Sequence, residues 1–112
     1  MDCLFCKMAN GEINVNKVYE DENILAFHDI DPKAPVHILI IPKAHISSCD
    51  DISEDNVKYI SNIFISIPKL TKKLGIENGY RVVTNVGEDG GQSVKHLHFH
   101  LLGKRALAWP PG

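Results

Sequence analysis

The stretch Lys95-His96-Leu97-His98-Phe99-His100-Leu101-Leu102 constrains this chain more than any other. Three imidazoles alternate with apolar side chains. On a β-strand, whose side chains repeat every two residues, His96, His98 and His100 share one face and Leu97, Phe99 and Leu101 the other. One face then belongs to a core and the other to chemistry. Half of the six histidines fall in this one stretch, a concentration that argues against a solvated strand that merely happens to be His-rich. Residues two apart on a strand are about 6.6 Å apart, so His96 and His100 are separated by about 13 Å. One metal ion cannot readily bind all three. The pattern points instead to a division of labour, with one imidazole as nucleophile or base, a neighbour as proton donor and the third free for a structural duty.

With 112 residues, 44% of them hydrophobic and 23% charged, the chain has the size and composition of one domain, residues 1–112, able to bury a core without disulfides. Its net charge is −2, which argues against a nucleic-acid or anionic-membrane surface, since either needs clustered Lys and Arg. Lys69, Lys72 and Lys73 have the spacing of a solvated helix face. No basic segment followed by a long apolar run opens the chain, and Ile38-Leu39-Ile40-Ile41 is far too short to cross a bilayer. A cytoplasmic location is expected, where three cysteines read as thiols or metal ligands before disulfides.

Local signals predict the remaining elements. Cys3 to Asn10 reads as a short helix capped by Asp2 and ended by Gly11. Within it, Cys3-Leu4-Phe5-Cys6 is a C-x-x-C, which can grip one Zn²⁺ or act as a redox pair; no strand precedes it, and redox catalysis is the poorer option. Strands are expected at Lys17–Tyr19 and Asn23–Asp29, joined at Glu20-Asp21-Glu22, and at Val36–Ile41, stopped by Pro42. His37 and His45 read either as hydrogen-bonded core histidines or as residues facing the histidine strand. Ser53 is expected to begin the main helix. Its apolar stripe would be Val57, Ile60, Phe64, Ile67, Leu70 and Leu74, with Pro68 kinking or splitting it and Gly75 ending it. Tyr80–Val86 reads as a further strand.

The glycine-rich segment Gly87-Glu88-Asp89-Gly90-Gly91-Gln92-Ser93 feeds into the histidine strand. Such a loop can bring backbone amides close to an anion, although a plain connection would also explain the glycines. Neutral imidazole is a competent nucleophile towards phosphorus, and charge developing on the phosphoryl oxygens would need donors such as Asn85, Ser93, His100 and the loop amides. The closing Ala106–Gly112 can be neither helix nor central strand, yet it holds the single tryptophan of the chain, Trp109, which suggests docking on a partner surface.

His96-Leu97-His98-Phe99-His100-Leu101-Leu102 resembles the His-φ-His-φ-His-φ-φ motif (φ apolar) of the histidine-triad family of nucleotide hydrolases and transferases. The resemblance extends through Cys3-Leu4-Phe5-Cys6-Lys7, Ala26-Phe27-His28-Asp29-Ile30, His37 to Ser47, Gly90-Gly91-Gln92-Ser93 and Trp109-Pro110-Pro111-Gly112. That ending is similar to the Hint branch, the purine nucleoside phosphoramidases. The resemblance implies an α+β fold, an antiparallel sheet of about five strands with a main helix packed on it and a short N-terminal helix.

By the same resemblance, His98 attacks the α-phosphorus of a nucleoside 5′-phosphoramidate, and water hydrolyses the resulting nucleotidyl-histidine to a monophosphate such as AMP or GMP. His100 and the outlying His37 would join it in catalysis together with Ser93. Asn85, Gly91 and Gln92 would lie by the phosphate, Asp29 at the ribose, and Phe5, Phe27, His28 and Ile30 around the base. Trp109 would reach from the tail towards the partner's site in a homodimer with a continuous sheet. Relatives with the N-terminal C-x-x-C imply a structural zinc held by Cys3, Cys6, His45 and His96, with no cofactor needed for catalysis. Cys49 matches no motif. The alternatives are a nucleotide-binding or protein-interaction module with vestigial catalysis, and a zinc-stabilised scaffold.

Overall fold

In the computed structural model, which describes residues 3–112, five strands form a single antiparallel sheet. They are β1 (Lys17–Glu20), β2 (Ile24–His28), β3 (Val36–Pro42), β4 (Tyr80–Val83) and β5 (Phe99–Gly103), in the order β1-β2-β3-β5-β4. A short helix, α1 (Leu4–Ala9), covers one face and the long helix α2 (Val57–Leu74) the other. The α+β fold expected from the sequence is therefore present. None of the described helices is long and apolar enough to cross a membrane.

Alternation along the strands sorts the core into two clusters. Ile24, Ala26, Ile38, Ile40, Leu97, Phe99 and Leu101 pack towards Ile63, Ile67 and Leu70 of α2. Leu25, Phe27, Leu39 and Ile41 pack against Cys3, Phe5 and Ala9. In the central strands both faces are covered, which explains why β2 and β3 read as nearly continuous apolar runs. The expected turn between β1 and β2 is built around Asp21, whose Oδ1 accepts from the amides of Asn23 and Ile24 at 2.8 and 3.0 Å.

Several expected boundaries move. The histidine strand joins the ladder only at Phe99; Val94 to His98 lie outside it, and Leu97 N–H instead donates to Ile46 O at 2.6 Å. β4 stops at Val83, short of Val86. Helix α2 begins at Val57, not Ser53. Asn56 occupies the junction, its Oδ1 accepting from Ser53 N–H and its Nδ2 donating to Asp51 O, so that Ser53 to Asn56 form a turn before the helix. Pro68 does not split α2. It removes one amide donor to the Phe64 carbonyl, and Phe64 lies on the half-exposed side where water can replace that donor. The buried stripe is rotated towards Ile63, and Phe64 packs edge-on against Phe99 with ring centroids 5.3 Å apart. For α1, Cys3 is the N-cap, its Sγ accepting from Cys6 N–H at 3.4 Å. The Asp2 cap lies outside the described residues. Gly11 follows the helix at φ 87°, the left-handed position expected of it.

Candidate functional site

The face beneath α1 carries all three histidines of the motif, and it separates them. His96 is fully buried among Cys3, Cys6 and His45. Its Nε2–H donates to the Pro42 carbonyl at 2.9 Å, because a carbonyl can only accept. Nδ1 is thereby left as a lone pair, 3.4 Å from Cys3 Sγ and 3.5 Å from Cys6 Sγ. Cys6 Sγ also lies 3.2 Å from His45 Nδ1. The four ligand atoms lie within 4.8 Å of one another. Tetrahedral zinc, with bonds of about 2.0–2.3 Å, needs ligand atoms about 3.3–3.8 Å apart; three of the pairs, at 3.2–3.5 Å, stand close to that spacing, and the donor set of two sulfurs and two imidazole nitrogens is one that ion takes. Burial, then the hydrogen bond and charge of Cys3, push the Cys6 thiol up to about 11. A bound dication would offset that cost by stabilising the thiolates. Burial also lowers the His96 pKa, favouring the neutral ligand form.

Two residues on, His98 belongs to a different environment. Its Nδ1–H donates to the His96 carbonyl at 2.7 Å. In the neutral ring this leaves Nε2 unprotonated, the form required of a nucleophile. Phe5, between the two cysteines, packs edge-on against the His98 ring with centroids 5.0 Å apart, and the His100 ring lies 5.2 Å away on another side.

The tautomer of His100 is set from behind. Lys33 N–H donates to His37 Nδ1 at 3.0 Å. The proton of His37 therefore sits on Nε2, which donates to His100 Nδ1 at 2.8 Å and faces Asp29 Oδ2 at 3.4 Å. His100 is left with its own proton on Nε2, free to donate. Asp29, His37 and His100 also bring their ligand atoms within 4.8 Å, but both nitrogens of His37 already have protein partners. This trio is better read as a hydrogen-bonded relay than as a metal centre. Burial, followed by the charges of His98 and His37, pushes the His100 pKa down to about 4. Burial lowers that of His37 as well.

His98 and His100 open into a cavity of about 670 Å³ walled by Leu4, Phe5, Met8, Ile13, Val15, Phe27, Leu39 and Val94. Of the residues singled out in the sequence, Phe5, Phe27, His28, Asp29, Ile30, Ser93, His98 and His100 line it. His37 stands behind His100. Asn85 Nδ2 donates to Gly90 O at 2.7 Å, and Gln92 Nε2 to Ser47 O at 2.7 Å, so both side chains fasten the glycine loop. That loop needs its glycines: Gly91 has φ 76° and a Cβ on Gly90 would run into the Val86 carbonyl. Trp109 is 85% exposed and does not line this cavity. Its segment is held by Arg81, which donates to Ala108 O and Pro111 O at 2.7 and 3.1 Å. Leu4, Met8, Ile13, Asn14, Val15, Asn16, Leu39 and Val94 were not among the sequence candidates. Only Leu39 had a signal, its alternation with the core-facing Ile38 and Ile40.

The model of the HIT domain family matches residues 10–107 of this chain. The crystal structure of a HIT family hydrolase from Legionella pneumophila superposes with a TM-score of 0.95 at 54% identity, covering 99% of this chain and 100% of that one. A histidine triad protein from Clostridium difficile gives 0.92 at 50% identity, over 96% and 95% of the two chains. A 14 kDa zinc-binding protein of Zea mays is 45% identical over 97% of this chain and 87% of its own length.

The low pKa of His100 has a consequence for stability. An unfolded histidine titrates near 6.5, so between there and about 4 the unfolded chain binds a proton that the native site refuses. Stability is therefore present above the unfolded pKa and lost as pH falls through this window. Urea unfolding at about pH 7 and about pH 5 checks this: the midpoint drops on acidification, and drops less in His100→Asn. An equal drop in both proteins would exclude His100 as a contributor.

Proposed function

The chain belongs to the HIT domain family, and from that premise we propose that it is a phosphoramidase of the Hint branch. It would hydrolyse the P–N bond of purine nucleoside 5′-phosphoramidates through a nucleotidyl-histidine intermediate. One observation carries the reading: His98 donates from Nδ1 to the His96 carbonyl and so turns an unprotonated Nε2 towards a ligand cavity. His98 Nε2 attacks the α-phosphorus while the P–N bond breaks. The departing amine takes up a proton, and water then cleaves the P–N bond to His98, releasing the nucleoside monophosphate. His100 Nε2–H, held outward by the Lys33–His37 chain of hydrogen bonds, donates to a phosphoryl oxygen as charge develops there. Ser93 at the cavity wall would serve the leaving amine, with Asn85, Gly91 and Gln92 shaping the phosphate side of the loop. Asp29 would meet the ribose hydroxyls, and Phe5, Phe27, His28 and Ile30 would border an AMP or GMP base. A cytoplasmic enzyme is the setting we propose.

Cys3, Cys6, His45 and His96 would hold one Zn²⁺. The donor set suits the ion, and the maize relative is named for zinc binding. Bound there, zinc would supply structural cross-linking rather than chemistry, since four protein side chains would hold it. We further propose a homodimer. Phe64 and Ile65 on α2 are 48% and 62% exposed, β4 is an edge strand, and the Trp109 side chain is exposed on its anchored segment, where a second subunit could cover it.

With adenosine 5′-phosphoramidate as substrate, His98→Ala is expected to lower kcat at least about a thousandfold; turnover equal to wild type would sink the covalent mechanism. Metal analysis of purified protein should find about one zinc per chain, lost in Cys3→Ser/Cys6→Ser together with a lower Tm. Metal-free wild type of unchanged stability would remove the zinc assignment. Sedimentation equilibrium should give twice the chain mass, and a monomer at micromolar concentration would refute the dimer.

A further inference from the structure

The relay behind His100 does not end at Lys33. Arg105, just beyond the end of β5, donates from Nε–H to the Lys33 carbonyl at 3.1 Å across 72 positions of sequence. The loop it grips, between β2 and β3, contains Pro32 and Pro35, neither of which has an amide to donate. The side chain of Lys33 is engaged elsewhere, its Nζ donating to Asp31 Oδ2 at 2.9 Å. A bond from the C-terminal segment thus holds the same residue whose amide faces His37 Nδ1.

We propose that Arg105 is a positioning residue for the phosphoryl-transfer site. By holding Lys33 it fixes the tautomer of His37 and, through it, the nitrogen on which His100 presents a proton to the cavity. The inference rests on the catalytic reading above for its functional meaning, but not for its geometry. If the Lys33 amide withdraws, His37 Nδ1 can carry the proton and Nε2 can become an acceptor, opposed only by Asp29 Oδ2 at 3.4 Å, which still favours Nε2–H and makes the outcome a mixture. His100 must then protonate Nδ1 to keep the bond between the rings, which turns the lone pair of its Nε2 towards the phosphoryl oxygens. Each ring retains one proton throughout, so the change is a pair of tautomerisations exchanged through water. A donor is thereby replaced by a repelling lone pair, which is felt most where charge develops on those oxygens.

Long-range ¹H–¹⁵N spectra of the imidazoles test this directly. In wild type, His37 and His100 are expected as Nε2–H tautomers and His98 as Nδ1–H. In Arg105→Ala, His37 and His100 should shift to mixtures while His98 keeps its signature. With adenosine 5′-phosphoramidate, kcat should fall about three- to tenfold, the size expected for one weakened hydrogen bond, with KM nearly unchanged. Arg105→Lys should restore part of both. Arg81→Ala loosens the same C-terminal segment without touching the Lys33 loop and should leave both imidazoles as they are. Unchanged His37 and His100 tautomers in Arg105→Ala would overturn the proposal, as would the same change in Arg81→Ala or a simultaneous loss of the His98 signature. Should the protein prove inactive on phosphoramidates, the spectra still decide whether Arg105 positions the relay.

Discussion

A buried imidazole nitrogen left without a partner costs roughly 1–3 kcal/mol, and His37, His96 and His98 are buried, at 6%, 0% and 5% exposure. Among the described residues no buried side-chain nitrogen or oxygen lacks a hydrogen-bond partner. Because the available partners are of one kind each, they dictate where the protons sit. Pro42 O and His96 O can only accept; Lys33 N–H can only donate. Three backbone groups thereby assign four rings: His96 presents Nδ1 to the cysteines, His98 turns Nε2 to the cavity, and His37 passes its constraint on to His100. The chemistry available to the site follows from satisfying the core.

The alternation in the histidine stretch was enough to foresee which side chains face α2 and which face the other way, and Leu97, Phe99 and Leu101 do lie with the α2 cluster. The separation of His96 from the other two was legible as well, since strand spacing alone forbids one ion from holding all three. The start of that strand was not legible. Val94 to His98 lie outside the ladder so that Leu97 can bond Ile46 and His96 can sit over Pro42, contacts made across about fifty positions of sequence. The start of α2 is hidden for a more local reason: Ser53 and Asn56 are both residue types that cap helices, and Asn56 takes the junction by bonding back to Ser53 N–H and Asp51 O. Most of the cavity wall was also invisible, because Leu4, Met8, Ile13 and Val15 become a wall only once α1 has docked.

Docking of α1 needs its own explanation. Six residues are far too few for a helix to persist alone in water. Two things hold it. Phe5 is inserted against Phe27, His96 and His98 with centroid separations of 5.9, 5.9 and 5.0 Å. Cys3 and Cys6, on either side of it, point at His96 and His45. The cysteine cluster and the cavity are thus two sides of one element, and His96 contributes its ring to the first and its carbonyl to the second.

Charge completes the account of the cavity. None of the described residues lining it is Lys or Arg, and Asp29 is the single carboxylate there. An anionic phosphoryl group would therefore be met by neutral N–H donors rather than by cations. Oriented dipoles can stabilise such a group without the long-range attraction that cations would exert on polyphosphates. Burial likewise favours the neutral form of His100. A protonated His100 would add a cation but would do so beside His98 and His37, the neighbours whose charges, after burial, hold its pKa down at about 4. The site spends no stability on keeping a buried cation; it relies on the orientation of one proton on His100, and on the backbone that orients it.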